Sequence, residues 1–115
     1  MKYMLLIYQI EQTLTEDMRE ACYDESLQLT RQLSDRGQLL GVAPLHPTAT
    51  ATSVRVRDGR RIVTDGPFAE TREQLGGYYL IQAKDLDEAT AIAARIPSSK
   101  IGSIEIRPTM DTGGM

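Results

Sequence analysis

A chain of 115 residues suits one compact domain with a core of useful size, and is too short for separate catalytic and regulatory domains. Charged residues make up 25% of it with both signs interspersed and a formal net charge of -3, which argues against a general affinity for nucleic acid or an anionic membrane. Cys22 is the only cysteine and has no partner for an internal disulfide, no leader-like start is visible, and no apolar stretch nears the roughly 20 residues that cross a bilayer. The expectation is a soluble protein of the reducing cytoplasm.

Tyr3-Met4-Leu5-Leu6-Ile7-Tyr8 is almost continuously apolar and aromatic, the pattern of a strand inside a sheet. Thr15 or Thr13 can then cap a helix that carries Glu16 and Asp17 in its first turn. Met18, Cys22, Leu29 and Leu33 recur at helical spacing until Gly37 stops it. Gln38 to Leu45 reads as a second strand, closed by Pro44 and the segment Leu45-His46-Pro47. Val54 and Val56 alternate with Arg55 and Arg57, Asp58-Gly59 favours a tight turn, and Arg60 to Thr64 returns, which makes a hairpin.

Tyr78 to Ala83 predicts another strand. Asp85-Leu86-Asp87-Glu88 opens a second helix with an N-cap and an acid three residues later, and Leu86, Ala89, Ala93 and Ile96 are its expected buried stripe. Pro97 ends that helix, and Ile104 and Ile106 alternate with Glu105 and Arg107 in a last strand. The expected domain is 1–108, with 109–115 a loose tail.

This order predicts an α+β fold, a ferredoxin-like split βαβ with an inserted β-hairpin. Both helices would cover one sheet face. The other face would be left apolar and open in a single copy, so a homodimer with sheets face to face is expected.

The run Asp65-Gly66-Pro67-Phe68 should be a rigid turn, because Pro67 has a fixed φ, Gly66 is pushed toward extended backbone by the proline, and Asp65 can accept backbone hydrogen bonds. Phe68, the single phenylalanine, reads as a core or dimer anchor or as part of a substrate pocket. His46 is the single histidine, of the side-chain type suited to acid–base work near neutrality, and Pro44 and Pro47 stiffen its backbone. A pairing of His46 with Asp65 would orient the imidazole as general base, with Glu70 as a second acid. The alternatives are a solvated loop histidine, an aspartate that ties only its own turn, and a Glu70 paired with arginine.

Arg55 and Arg57 share a hairpin face and can hold a carboxylate or phosphate, while Tyr79 and Tyr8 are candidates to line a pocket. The arginines equally suit a solvated edge hairpin. No His-x-His or Cys-x-x-Cys spacing points to a metal, and Gly76-Gly77 leads into a strand, unlike a dinucleotide fingerprint, so it suits a bulge or a close backbone approach. No cofactor is expected.

From Asp65 through Tyr79 the sequence resembles the motif of DGPF-domain proteins, a branch of the YCII-related family. Leu45-His46-Pro47, Asp85-Leu86-Asp87-Glu88-Ala89 and Ser103 to Pro108 extend the resemblance from Tyr3 to Pro108. It implies a dimeric α+β barrel with a cleft between sheet and loops. The YCII branch implies a histidine–aspartate pair with its histidine on the first helix, yet no histidine stands between Thr15 and Arg36 here. DGPF-type proteins are also linked to sigma factors, which suggests a regulatory partner.

Two functional expectations follow. One is a cofactor-free acid–base enzyme (isomerase, lyase or dehalogenase) acting on a small organic acid, with His46, Asp65 and Glu70 catalytic and Arg55, Arg57, Phe68, Tyr79 and Tyr8 binding. The other is a ligand-sensing or sigma-factor-associated module that binds without turnover.

Overall fold

The computed structural model describes residues 1–11 and 14–113. Strand β1 is Lys2–Gln9, helix α1 Glu16–Asp35, β2 Leu39–Pro44, β3 Thr52–Arg57, β4 Arg60–Asp65, β5 Gln74–Gln82, α2 Leu86–Ala94 and β6 Ser103–Pro108. Four strands form one sheet in the order β2-β5-β1-β6, and β3 and β4 form a separate two-stranded sheet. Each neighbouring pair in the main sheet is antiparallel. β1 and β2 therefore run parallel with β5 between them, and β5 and β6 run parallel with β1 between them. That is the split βαβ, made twice.

Local chemistry sets the helix ends. The Thr15 hydroxyl accepts the Met18 N–H at 3.2 Å, and Arg36 closes α1 before Gly37, whose φ of 71° suits a residue without Cβ. Thr13, the other candidate cap, lies outside the described residues, as do the last two residues of the expected tail. Asp85 accepts the Glu88 N–H at 2.9 Å, and the Glu88 carboxylate reaches back to the Lys84 N–H at 3.1 Å.

Both helices cover one face of the sheet. Tyr3 and Leu5 of β1, Tyr79 and Ile81 of β5, Leu29 and Leu33 of α1, and Ala89, Ile92, Ala93 and Ile96 at α2 form the buried core. Two expected core positions are corrected. Leu86 is 55% exposed, because it is the first residue of α2, ahead of the turns that pack on the sheet through Ala89, Ile92 and Ala93. Met18 is 46% exposed, because α1 packs tightly only through its second half, at Leu29 and Leu33.

Among the described residues no element covers the opposite sheet face. Register places Met4 beside Leu80 and Leu6 beside Tyr78, with Glu105 and Arg107 flanking them on β6. These four residues are only half-buried. The hairpin follows its expected pairing, with Val54 opposite Val63 and Arg57 opposite Arg60. Asp58 and Gly59 have φ of 53° and 73°, the double positive φ of a tight hairpin turn. Its extensive contacts are between its own strands. The radius of gyration is 16.0 Å, against about 13 Å for a compact chain of this length, because the hairpin stands off as an arm.

Candidate functional site

The site begins with an absence of side chains. Gly77 is buried in β5 between Ile7 of β1 and Pro44 of β2, on the face toward the helices. A Cβ there would lie 2.9 Å from the Ala43 carbonyl oxygen and 3.3 Å from Pro44 Cα, so only glycine lets β2 approach. Gly76 is the extra residue of a bulge, since Ile7 faces Gly77 while Tyr8 faces Leu75. The glycine pair thus provides both the bulge and the close approach that its sequence suggests.

The facing side of α1 is equally spare. Cys22, Ser26 and Thr30 follow one another at four-residue spacing, and the Thr30 hydroxyl donates to the Ser26 carbonyl at 2.8 Å instead of reaching outward. Small groups on helix and sheet leave a cleft of about 390 Å³, with Tyr79 and Val42 on the sheet side and Tyr23 and Leu27 at the helix side. It opens where β1 and β2 end and β5 begins. Gln9 and Arg19 line it and also line an adjoining mouth of about 260 Å³, where Glu11, Gln74 and His46 stand.

His46 is exposed but its backbone is anchored. The Leu45 N–H donates to the Gly76 carbonyl at 2.9 Å. On the other side Glu11 accepts the Thr48 N–H at 2.8 Å and the Thr48 hydroxyl at 3.0 Å. The Pro47 carbonyl in turn accepts the Thr50 hydroxyl at 2.7 Å. The imidazole itself has no hydrogen bond or ion pair among the described residues. Deeper in, Gln9 Oε1 is buried and has no donor among the described residues. A buried acceptor left unpaired costs about 1–3 kcal/mol.

The other expected site residues are dispersed. Tyr79 is 3% exposed, a core residue whose ring also floors the cleft. Tyr8 lies on the open sheet face beside Arg72, Glu73 and Ser103, away from the cleft. Arg55, Arg57 and Phe68 share a hollow of about 310 Å³ on the arm, where an Arg55 guanidinium N–H donates to the Phe68 carbonyl at 3.4 Å. Phe68 is 77% exposed, so in the single chain it anchors no core.

Asp65 ends β4 opposite Thr52, and its carboxylate has no partner among the described residues. No hydrogen bond joins it to His46. Glu70 is exposed and also unpaired among the described residues. The turn after Asp65 is tied by its backbone: the Gly66 N–H donates to the Ala51 carbonyl and the Ser53 hydroxyl to the Gly66 carbonyl, each at 2.7 Å. Gly66 has φ of 99° where extended backbone was expected, because lacking a Cβ it can meet the proline restriction from the positive side. Among the described residues no three His, Cys, Asp or Glu side chains gather closely enough for a metal ion.

Gln9, Glu11 and Arg19 escape sequence reasoning, since a polar residue at a strand end or in a first helical turn is ordinary. A signal did exist in the Cys22, Ser26, Thr30 spacing, where small polar groups stand along the helix where apolar ones would fill the space.

A twice-split βαβ with a cleft between its first helix and one sheet end defines a small ferredoxin-like α+β protein. The chain belongs to the YCII-related domain family, which matches residues 1–112. Over 80 residues it is 46% identical to an uncharacterized protein of Rhizobium meliloti (strain 1021), a match over 68% of this chain. The chain spans 64% of that relative's length. Its fold is similar to that of 5-chloro-2-hydroxyhydroquinone dehydrochlorinase (TftG) from Burkholderia phenoliruptrix AC1100, solved in complex with 2,5-dihydroxybenzoquinone. That likeness has a TM-score of 0.62 at 12% identity and covers 99% of this chain and 98% of the other, which establishes a shared fold. No helix among the described residues is long and apolar enough to cross a membrane.

Proposed function

We propose that this protein binds a small hydroxylated organic acid or ring compound in the cleft between α1 and the sheet and moves a proton on it with its own side chains. The observation that carries this reading is the cleft itself, lined by Gln9 and Arg19, which also line the adjoining mouth where anchored His46 stands. A ligand hydroxyl pairs with the Gln9 amide, the Arg19 guanidinium holds the ligand's negative charge, and the His46 imidazole takes or returns the proton. Where the ligand carries a halide on a neighbouring carbon, the electron pair left by the proton expels it, so the products are the unsaturated compound, a halide ion and the protonated base. The named activity and bound ring of the structural neighbour support this chemistry, and a cleft of about 390 Å³ accommodates one such ring.

The test uses 2,5-dihydroxybenzoquinone as binding probe and halide release from a chlorinated hydroxyhydroquinone as activity. His46→Ala is expected to lower kcat about 10²–10⁴-fold while probe binding persists. Probe binding that survives Gln9→Leu and Arg19→Leu together would remove the cleft from the proposal. The lone imidazole, with no orienting carboxylate among the described residues, favours a second reading: a cytoplasmic ligand sensor acting with a sigma factor, in which the probe binds without turnover. Probe binding by the wild type with no halide release would decide for it. In both readings the working unit is a homodimer joined through the open sheet faces.

A further inference from the structure

The arm is chemically two-sided. Val54, Val56 and Val63 lie on one face together with Arg61, and the Val54–Val63 cross-strand pair helps hold the hairpin's register. Arg55, Arg57 and Ile62 lie on the other, beside exposed Phe68. Arginine around an exposed aromatic and an aliphatic residue is the composition of an interface centre. Residues 52–65 carry four arginines against two aspartates. A two-stranded hairpin is also marginal in water without something to pack on, and this one makes its extensive contacts only within itself.

One surface of the same chain has the complementary pattern. Residues 16–25, the first half of α1, carry five carboxylates against one arginine. Glu16, Glu20, Tyr23, Asp24 and Leu27 fall within about 100° of helix surface, and Tyr23 and Leu27 are 68% and 36% exposed. Among the described residues the single recorded ion pair is Arg107–Glu105, so neither the arm's arginines nor these carboxylates are paired within the chain.

We propose that the arm of one copy lies across the first half of α1 of a second copy, with Arg55 and Arg57 against Glu16, Glu20 and Asp24, and Phe68 and Ile62 against Tyr23 and Leu27. A twofold pair satisfies both patches twice and closes, so no filament grows from it. This rests on the homodimer reading above and adds a contact to it. It also completes the cleft, because Tyr23 and Leu27 line it from the helix side. The second copy's arm would close that rim and bring its guanidinium groups to the border of the anion site.

Charge reversal tests the pairing on the full chain by sedimentation velocity. Arg55→Glu with Arg57→Glu, and separately Glu20→Arg with Asp24→Arg, should each raise the dimer Kd at least about tenfold by setting like charges together. An equimolar mixture of the two variants should return Kd to within about threefold of wild type, since both contacts in the mixed dimer again join opposite charges. Reversals that leave a wild-type dimer unchanged would overturn the arm contact and leave the sheet-face dimer standing. A wild-type chain that remains monomeric would overturn both. Weakening without rescue in the mixture would overturn the pairing of these arginines with these carboxylates. As a measure independent of affinity, Phe68→Cys and Tyr23→Cys chains, both in a Cys22→Ser background, should form a mixed disulfide on oxidation. Absence of that cross-link would also overturn the contact.

Discussion

At Gly77 a single hydrogen in place of a side chain decides whether the edge strand can close on the sheet. A Cβ would sit 2.9 Å from the Ala43 carbonyl oxygen, and the atoms it meets are β2 backbone, which leaves little room to give. Gly77→Ala is therefore expected to destabilise the protein by about 1–3 kcal/mol in a denaturant melt. Gln9 should behave in the opposite way. Gln9→Met keeps the volume but removes the partnerless Oε1, so stability should rise by about 1 kcal/mol while affinity for 2,5-dihydroxybenzoquinone falls. A melt and a titration on the same variant check both signs. The glycine pair could be recognised in the sequence because Gly-Gly ahead of a strand is rare and has few uses. Gln9 and Arg19 could not, since their importance depends on which residues stand opposite.

At the scale of elements, the hairpin and the helix caps were the most legible features. Alternating valine and arginine around Asp58-Gly59 fixes both pairing and turn, and φ of 53° and 73° follow from that dipeptide. Gly59→Ala should cost about 1 kcal/mol locally. Because the arm stands apart from the core, amide exchange should speed up across residues 52–65 while the melting of the main sheet stays in place. Thr15→Ala should weaken the start of α1 by about 1 kcal/mol, since the Met18 N–H loses its acceptor. Protection of the first turn by hydrogen exchange reads this directly. The burial of Leu86 and Met18 was misread because periodicity identifies a stripe without saying where along its length the sheet stops supporting it.

For the molecule as a whole, the open sheet face is the feature that a single chain leaves unfinished. Met4, Leu6, Tyr78 and Leu80 meet across β1 and β5 with no element of the described residues over them. Leu6→Asp is expected to abolish association in sedimentation experiments while the circular dichroism of the chain is retained. Unchanged association would direct the search for the interface elsewhere. The wild-type melting temperature should also rise with protein concentration, as mass action requires when the partner binds the folded form.

The amino-acid order by itself determined the elements, their sequence along the chain and the fold they compose, because capping, turn geometry and hydrophobic period act over a few residues at a time. It also pointed to His46 as the acid–base candidate, by chemistry alone. Only the tertiary structure decided what stands near it. Pairing β1 with β5 brings Gln9 to Gln74, and the Leu45 N–H bond to Gly76 draws the histidine loop to the same sheet end. His46 thereby joins Gln9, Glu11 and Arg19 at the mouth, while Asp65 remains at the base of the arm without a hydrogen bond to it. The physical reason is range: proximity between residues far apart in sequence is set by strand register and helix packing acting together, and no local pattern encodes that sum.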